Sequence, residues 1–421
     1  MGSSFGSINT ALTSLYAQRR ALDVTGQNIA NANTEGYSRQ RVDMQSQVGS
    51  MSAAMYAKTD GLGTGVSVSG VQRIRDEYLE NRGRTEHAKS TYLTAQTAAY
   101  TAVEDVFAEP GDTALAAQLQ DMWGGWNDVA NNPQLAATRS TLIQQSSTVA
   151  DGLNSAHASL ASQWSQNRTQ LSAYAEEVNV TAESIAQLND SIIKANASGL
   201  TVNELEDRRD QLAMKLSELT GATAAKRENG GMDIFINGAN LVTGSRVREV
   251  DFVGAKRLQD QGADPVNLVW KDSPTQPIQA GGTIGAAVDT MSAVIPGLAS
   301  DLAKVADNMI KSVNDMHRTG FSVDGTTGQD FFGRAPDGSV RVLIDDPAKV
   351  AISATAGSLD NSVADGIADI GDRAGGPDRE YQGMIGRLGV SAQGAARRAE
   401  IQSVVTEQID AAREGEAGVN L

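Results

Sequence analysis

Cysteine is absent from all 421 residues. Disulfides, thiolate metal sites and cysteine nucleophiles are excluded together. Histidine is nearly as scarce. His87, His157 and His317 stand far apart, and none has a second His three to five residues on, so no zinc pattern exists. The expectation for each is a solvent-facing or cap-side ring. Aromatics make up 5% of the chain, so the core must rest on Ala, Leu, Val and Ile, which suits slender helical packing. No run approaches 18 consecutive apolar residues, so no transmembrane helix is expected. Residues 1–16 lack the basic start and apolar run of a Sec signal peptide. Cations are outnumbered: 35 Lys and Arg against 51 Asp and Glu give a net charge of −16. Nucleic acid and anionic membrane are therefore poor partners, because both need clustered cations.

Catalytic groupings are missing as well. Gly61-Leu62-Gly63-Thr64-Gly65 lacks the Gly-Lys-Ser/Thr of a phosphate loop, and Val66, Val68 and Val71 after it alternate like a strand. Asp324-Gly325 lacks the ligand spacing and closing Glu of a calcium loop, so it reads as a turn. No Gly-x-Ser-x-Gly elbow occurs. Glu204, Glu206, Asp207, Arg208, Arg209 and Asp210 mix both signs at helical spacing, which reads as a surface or interhelix salt-bridge face. No acid, base and orienter come together. We therefore expect no catalytic, metal or cofactor residues, and no enzyme.

What the chain does have is heptads. Ile8, Leu15, Leu22 and Ile29 lie seven apart with Leu12 beside them, a narrow apolar seam on a first helix. Asn28, Asn31, Asn33 and Gly36 end it. Residues 40–70, rich in Ser, Gly, Met and Gln, read as extended or loosely β. That loose stretch sets the first helix apart from the rest, so its seam needs a helix from the C-terminus or from another subunit. Leu93, Tyr100, Val103 and Phe107 mark one further helix face. Leu115, Leu119, Met122, Trp126 and Val129 mark another. Past Asn131-Asn132-Pro133, Trp164, Leu171, Val178, Ile185 and Ile192 keep strict sevenfold spacing on a long helix expected from Leu135 to Ala195. Such a helix spans about 90 Å at ~1.5 Å per residue. Thr201-Val202-Asn203-Glu204 fits a capping box ahead of Leu205, Leu212 and Leu219.

Near Gly221 the pattern changes. Met232 to Ile236 followed by Asn237-Gly238 predicts a strand and hairpin turn. Val250 with Phe252, and Val266 with Leu268 and Trp270, predict further strands. Met291, Ile295, Leu298, Leu302, Val305, Met309 and Val313 return to helical spacing, with Pro296 expected to kink that helix or reset its start. Val340 to Ile344 predicts a short strand, and a last helix is expected from Tyr381 to Ala412. The fold class is mainly α with a β-rich insert, an elongated rod of coiled-coil-like helices. The expected units are 1–70, an N-terminal assembly helix with an extended segment, and 71–221 with 283–318 and 377–421, a helical bundle. Residues 222–282 would form the β-rich insert and 319–376 a small β and loop element.

The motif Asn28-Ile29-Ala30-Asn31-Ala32-Asn33-Thr34-Glu35-Gly36-Tyr37 resembles the N-terminal block of bacterial flagellar rod, hook and hook-associated proteins. Its continuation Ser38-Arg39-Gln40 resembles the FlgK family of hook-associated proteins. So do Gly63-Thr64-Gly65-Val66, Arg73-Ile74-Arg75-Asp76-Glu77-Tyr78-Leu79, the block 203–210, and His317, Gly320, Asp324-Gly325, Gly328 and Asp330-Phe331-Phe332. These blocks fall in family order over nearly the whole chain. Glu35 stands where the family commonly has Pro, which should loosen that turn. At Val419-Asn420-Leu421 the family continues into a helix that pairs with the N-terminal one. On that resemblance the helix is expected to be missing here, and with it much of subunit docking and chaperone recognition.

The resemblance implies a structural protein exported by the flagellar type III pathway to the extracellular flagellum. It would form a ring between hook and filament. The partners it implies are further copies of the chain, the hook protein, a second junction protein and an export chaperone. Two other readings stay open: another axial protein of rod or hook, and a flagellum-associated peptidoglycan hydrolase. The long central helix disfavours the first, and the coiled-coil-like middle disfavours the second.

Overall fold

The structure, a computed structural model, describes residues 4–47 and 63–419. Gly61, Leu62, Asn420 and Leu421, which the motifs above include, lie outside the described residues. Helix α1 (Ser4–Ala30) leads through a turn into β1 (Gln40–Gln47), which pairs antiparallel with β2 (Gly65–Arg73). Then come α2 (Glu77–Phe107), α3 (Leu115–Asn131), α4 (Ala136–Ala197) and α5 (Asn203–Thr220). Asp76 starts α2 by accepting the Leu79 amide, a side-chain N-cap. At 62 residues α4 is the spine of the molecule, about 93 Å long at ~1.5 Å per residue.

Every member of the α4 heptad, Trp164, Leu171, Val178, Ile185 and Ile192, is fully buried. The reason is geometric. A sevenfold apolar repeat keeps one stripe of a long helix facing its neighbours, here α3, α5, α6 and α7. The capping box is not formed. Val202 is the N-cap of α5 and gives no side-chain cap, while Asn203 Nδ2 donates to the Val71 carbonyl on β2 at 3.1 Å.

The insert begins after Gly221, whose positive φ closes α5. Strands β3 (Thr223–Lys226), β4 (Met232–Ile236), β5 (Ala239–Thr243) and β6 (Arg246–Val247) form one antiparallel sheet. Strands β7 (Val250–Val253), β8 (Asn267–Trp270) and β9 (Ser273–Ile278) form a second. Asn237 and Gly238 both take positive φ, as the expected hairpin turn requires. Both sheets lean on α4. Asn179 exchanges two hydrogen bonds with the backbone of Val250, each 2.9 Å. Asn189 donates to the Met232 and Gly244 carbonyls and accepts the Met232 amide.

Helix then resumes as α6 (Gly282–Asp289), a π-helical turn over Thr290–Val294, and α7 (Ile295–His317). Pro296 therefore resets the helix rather than breaking it. The run Gly282–His317 is long and apolar enough to cross a membrane by length and composition. In this fold it is a core helix, with Ile284, Met291, Ile295, Leu302, Val305, Met309 and Val313 buried against the bundle.

Strands β10 (Phe321–Ser322), β11 (Phe332–Arg334), β12 (Val340–Val342) and β13 (Ala351–Ser353) make two small antiparallel pairs. Asn154 of α4 exchanges two 2.8 Å bonds with Val340. Short α8 (Ser362–Ala368) and long α9 (Pro377–Ala417) complete the chain, and α9 runs along α2 and α7.

His317 departs from expectation: it is 1% exposed. Its Nδ1 faces the Gln329 carbonyl at 2.8 Å and its Nε2 accepts the Ala351 amide at 3.0 Å. Burial holds its pKa below the ordinary histidine value. The ring also packs on Trp126 and Phe331, with centroids 6.3 and 5.4 Å away. His87 is half-buried between Glu218 of α5 and Asp410 of α9.

Candidate assembly surface and its charged anchor

Helix α1 has two faces with opposite fates. Ile8, Leu12, Leu15, Leu22 and Ile29 are 62%, 45%, 65%, 72% and 56% exposed. Ala17 and Val24 on the other side are buried, and α1 packs on both strands of the β1–β2 hairpin. A continuous apolar stripe left in water is the kind of surface that marks an interface. The described parts of the stretch expected to be extended or loosely β, residues 40–47 and 63–70, contribute to an antiparallel strand pair under α1, and that pair is tied to its surroundings in two places.

The first tie is Asn28. Its Nδ2 donates to the Gln40 carbonyl and its Oδ1 accepts the Gln40 amide, both at 2.9 Å. The same Oδ1 accepts the Tyr37 hydroxyl at 2.9 Å. One amide side chain thus fixes where the helix ends and where β1 starts. Asn31 accepts the Thr34 hydroxyl in the turn between. Gly36 takes positive φ, and a Cβ there would fall 2.0 Å from Gln211 Nε2, so only glycine fits that passage over α5. Gln211 Nε2 in turn donates to the Glu35 carbonyl at 2.5 Å, which holds the turn that the substitution at 35 was expected to loosen. Arg39 contributes its backbone amide to the Ala417 carbonyl of α9 at 2.8 Å and its guanidinium to the Glu416 backbone carbonyl at 3.1 Å. Ile29 points to solvent and belongs to the seam.

The second tie is ionic and buried. Ser38 is fully buried, and its Oγ and amide both donate to the Asp207 carboxylate of α5. Arg73 donates to Asp207 at 2.7 Å and Asp210 at 3.0 Å, and pairs with Glu206 at 2.5 Å. Arg75 donates to Ser38 Oγ at 2.6 Å and to Asp210 at 2.7 Å, and lies 3.4 Å from Glu80. Glu80 of α2 also receives Arg413 of α9.

Burial opposes the charge on Arg73, but Asp210, Glu206 and Asp207 outweigh it and raise its pKa. Burial likewise works to raise the Asp210 pKa, and Arg73, Arg75 and Arg209 overcome it, holding the carboxyl below its usual value. These carboxylates are engaged as anchors for the hairpin.

Of the acidic and basic cluster at 204–210, Asp207, Arg209 and Asp210 are buried and Glu204 and Arg208 are exposed, so its inner face is an ionic contact between elements. The 73–79 block and the 203–210 block, separate in sequence, meet at this site. The available signal was the spacing of Asp207 and Asp210, three apart on one face of a helix. Among the described residues no group of three or more His, Asp or Glu is placed to hold a metal ion.

Comparison with known proteins bears on what such a surface serves. Residues 100–332 match the family model of the flagellar hook-associated protein FlgK helical domain, and residues 8–37 match that of the flagella basal body rod protein. Flagellar hook-associated protein 1 of Bacillus subtilis is 28% identical over an alignment covering all of this chain and 92% of that protein. Its Escherichia coli counterpart is 28% identical across 77% of this chain and 59% of its own length. The solved structure of the flagellar hook junction protein FlgK from Burkholderia pseudomallei superposes with a TM-score of 0.67 at 14% identity. That match covers 79% of this chain and 99% of the other.

Proposed function

This chain belongs to the FlgK family of flagellar hook-associated proteins, and from that premise we propose that it is a structural subunit of the junction between hook and filament, acting through helix packing between subunits. It is a component of the bacterial flagellum and assembles with other axial components. The finer reading is a ring of copies of this chain, with the hook protein below, a second junction protein above and a chaperone during type III export to the cell exterior. We read it as non-catalytic, with its buried carboxylates used as anchors.

The observation that carries this reading is the seam on α1, apolar and exposed on the face opposite an anchored one. Buried against neighbouring helices, each leucine there would contribute roughly 1.5–3 kcal/mol. A ring repeats that contribution in every subunit. The test is Leu15→Ser with Leu22→Ser in the chromosomal gene. Because both side chains lie in water in the monomer, its melting transition should stay within about a degree of wild type. Cells should secrete the protein, carry hooks in electron micrographs and lack filaments. A double mutant that swims normally removes the seam as an assembly surface.

A further inference from the structure

The helix that runs from α6 into α7 contains a carbonyl with no donor of its own. In an α-helix the Met291 carbonyl would receive the amide of Ile295, four residues on. Here Ile295 gives its N–H to Thr290, five residues back, as the π turn demands. The next donor in that π pattern would be residue 296, which is proline and has no N–H. Met291 and Ile295 are fully buried and Thr290 nearly so, on the face of the turn that meets α4, while Ser292 and Ala293 on the other face are exposed. The missing donor comes from another helix. Trp164 of α4, itself fully buried, places its indole Nε1 3.0 Å from the Met291 carbonyl.

We propose that Trp164 and Pro296 form a matched latch, in which proline withholds a backbone donor and the indole of α4 supplies it. The closure of the π turn then depends on α4 being seated. The location gives the latch its consequence. Helix α6 packs on α2 and α5, whereas α7 packs on α8 and α9. The π turn sits between these two halves of the rod and sets the phase in which both bury their apolar faces. A shift of α4 along the bundle breaks the one donor and opens the joint there, ahead of the α-helical turns on either side. The latch makes this joint a hinge controlled from the spine. It is a property of the fold and stands whether or not the chain serves at a junction.

The test is a pair-wise rescue read by amide hydrogen exchange over residues 287–298. Trp164→Phe removes the donor and keeps an aromatic ring, and exchange there should rise on the order of ten-fold or more, the scale of one unsatisfied buried carbonyl. Trp126→Phe is the control. Trp126 is equally buried, and among the described residues its Nε1 has no partner, so its loss should leave 287–298 unchanged. Pro296→Ala restores a backbone N–H, so the double variant Trp164→Phe with Pro296→Ala should return to within about three-fold of wild type. Failure of the double variant to recover protection, or equal effects of Trp164→Phe and Trp126→Phe, overturns the latch. Should Trp164→Phe not fold, Pro296→Ala alone decides. The amide it introduces at position 296 should be protected like its helical neighbours, and exchange at the rate of an open chain overturns the assignment.

Discussion

Asp210 is the point at which the N-terminal unit depends on the bundle. Its carboxylate lies under Arg73 at 3.0 Å and Arg75 at 2.7 Å, with its side chain 3% exposed. Asp210→Asn keeps the shape and removes the charge. Removing one partner of a buried ionic pair costs ~3–5 kcal/mol. The lower figure applies here, because Arg73 keeps Glu206 and Asp207, and Arg75 keeps Ser38 and Glu80. A loss of about 3 kcal/mol is therefore expected, and it should be local. Exchange should rise in β1, β2 and α1, whereas the α4 heptad keeps its protection.

The same site predicts an acid limb. The folded Asp210 pKa is depressed, so its contribution is present above the ordinary carboxylate value and is lost as pH falls through the folded one. Wild type should lose hairpin protection in that acid window, and Asp210→Asn should show no such step. If the variant melts within about 0.5 kcal/mol of wild type and exchange in β1 and β2 is unchanged, the ionic tie does not hold the hairpin.

Three further outcomes can be checked by the same methods. Leu171→Asp or Val178→Asp places a charge in the fully buried α4 seam and should cost roughly 3 kcal/mol or more; an unchanged melting temperature for both would place that seam in water. Asn28→Ala leaves the Gln40 amide and carbonyl and the Tyr37 hydroxyl without their partner, so about 1–3 kcal/mol should be lost, with faster exchange centred on Gln40. His87 has a raised pKa, from Glu218 first and, against burial, from Asp410. Its contribution is complete below the ordinary histidine value and lost as pH rises through the raised one, so the stability difference between wild type and His87→Gln should shrink from pH 5.5 to pH 8, a range chosen to bracket ~6.5. Reading that difference cancels His317, which titrates in the opposite sense.

The legible parts of this fold were those written in local periodicity. The α4 heptad, the strand at Met232–Ile236 and its Asn237-Gly238 turn follow from spacing alone, because one face of each is buried along its whole length. Strand β9, Ser-Pro-Thr-Gln-Pro-Ile, was not legible. It is an edge strand with little burial on either face, so no alternation was selected. The Thr201 cap is not made because α5 starts one residue later than that cap requires, with Val202 as its N-cap. The charged anchor was hidden because its partners are distant in sequence: Arg73 and Asp207 are 134 residues apart. The seam on α1 was visible as a pattern. What the sequence did not convey was that the helix bearing it is pinned from behind.

The asparagines of α4 have a consequence for proteins kept as monomers at high concentration. Strand β7 lies at one edge of its sheet, and β12 pairs with β11 on one side. Unoccupied backbone at such edges invites a second chain to add a strand, the first step of irreversible aggregation. Asn179 fills the Val250 position and Asn154 the Val340 position, each with a donor and an acceptor at once. A side-chain amide imitates a neighbouring peptide group and offers nothing further to pair with. One backbone position on each of these strands is therefore already occupied, and at the next open position of β7 the Arg168 guanidinium and the Asp251 carboxylate take the Phe252 carbonyl and amide, which leaves less of that edge for a second chain to pair with.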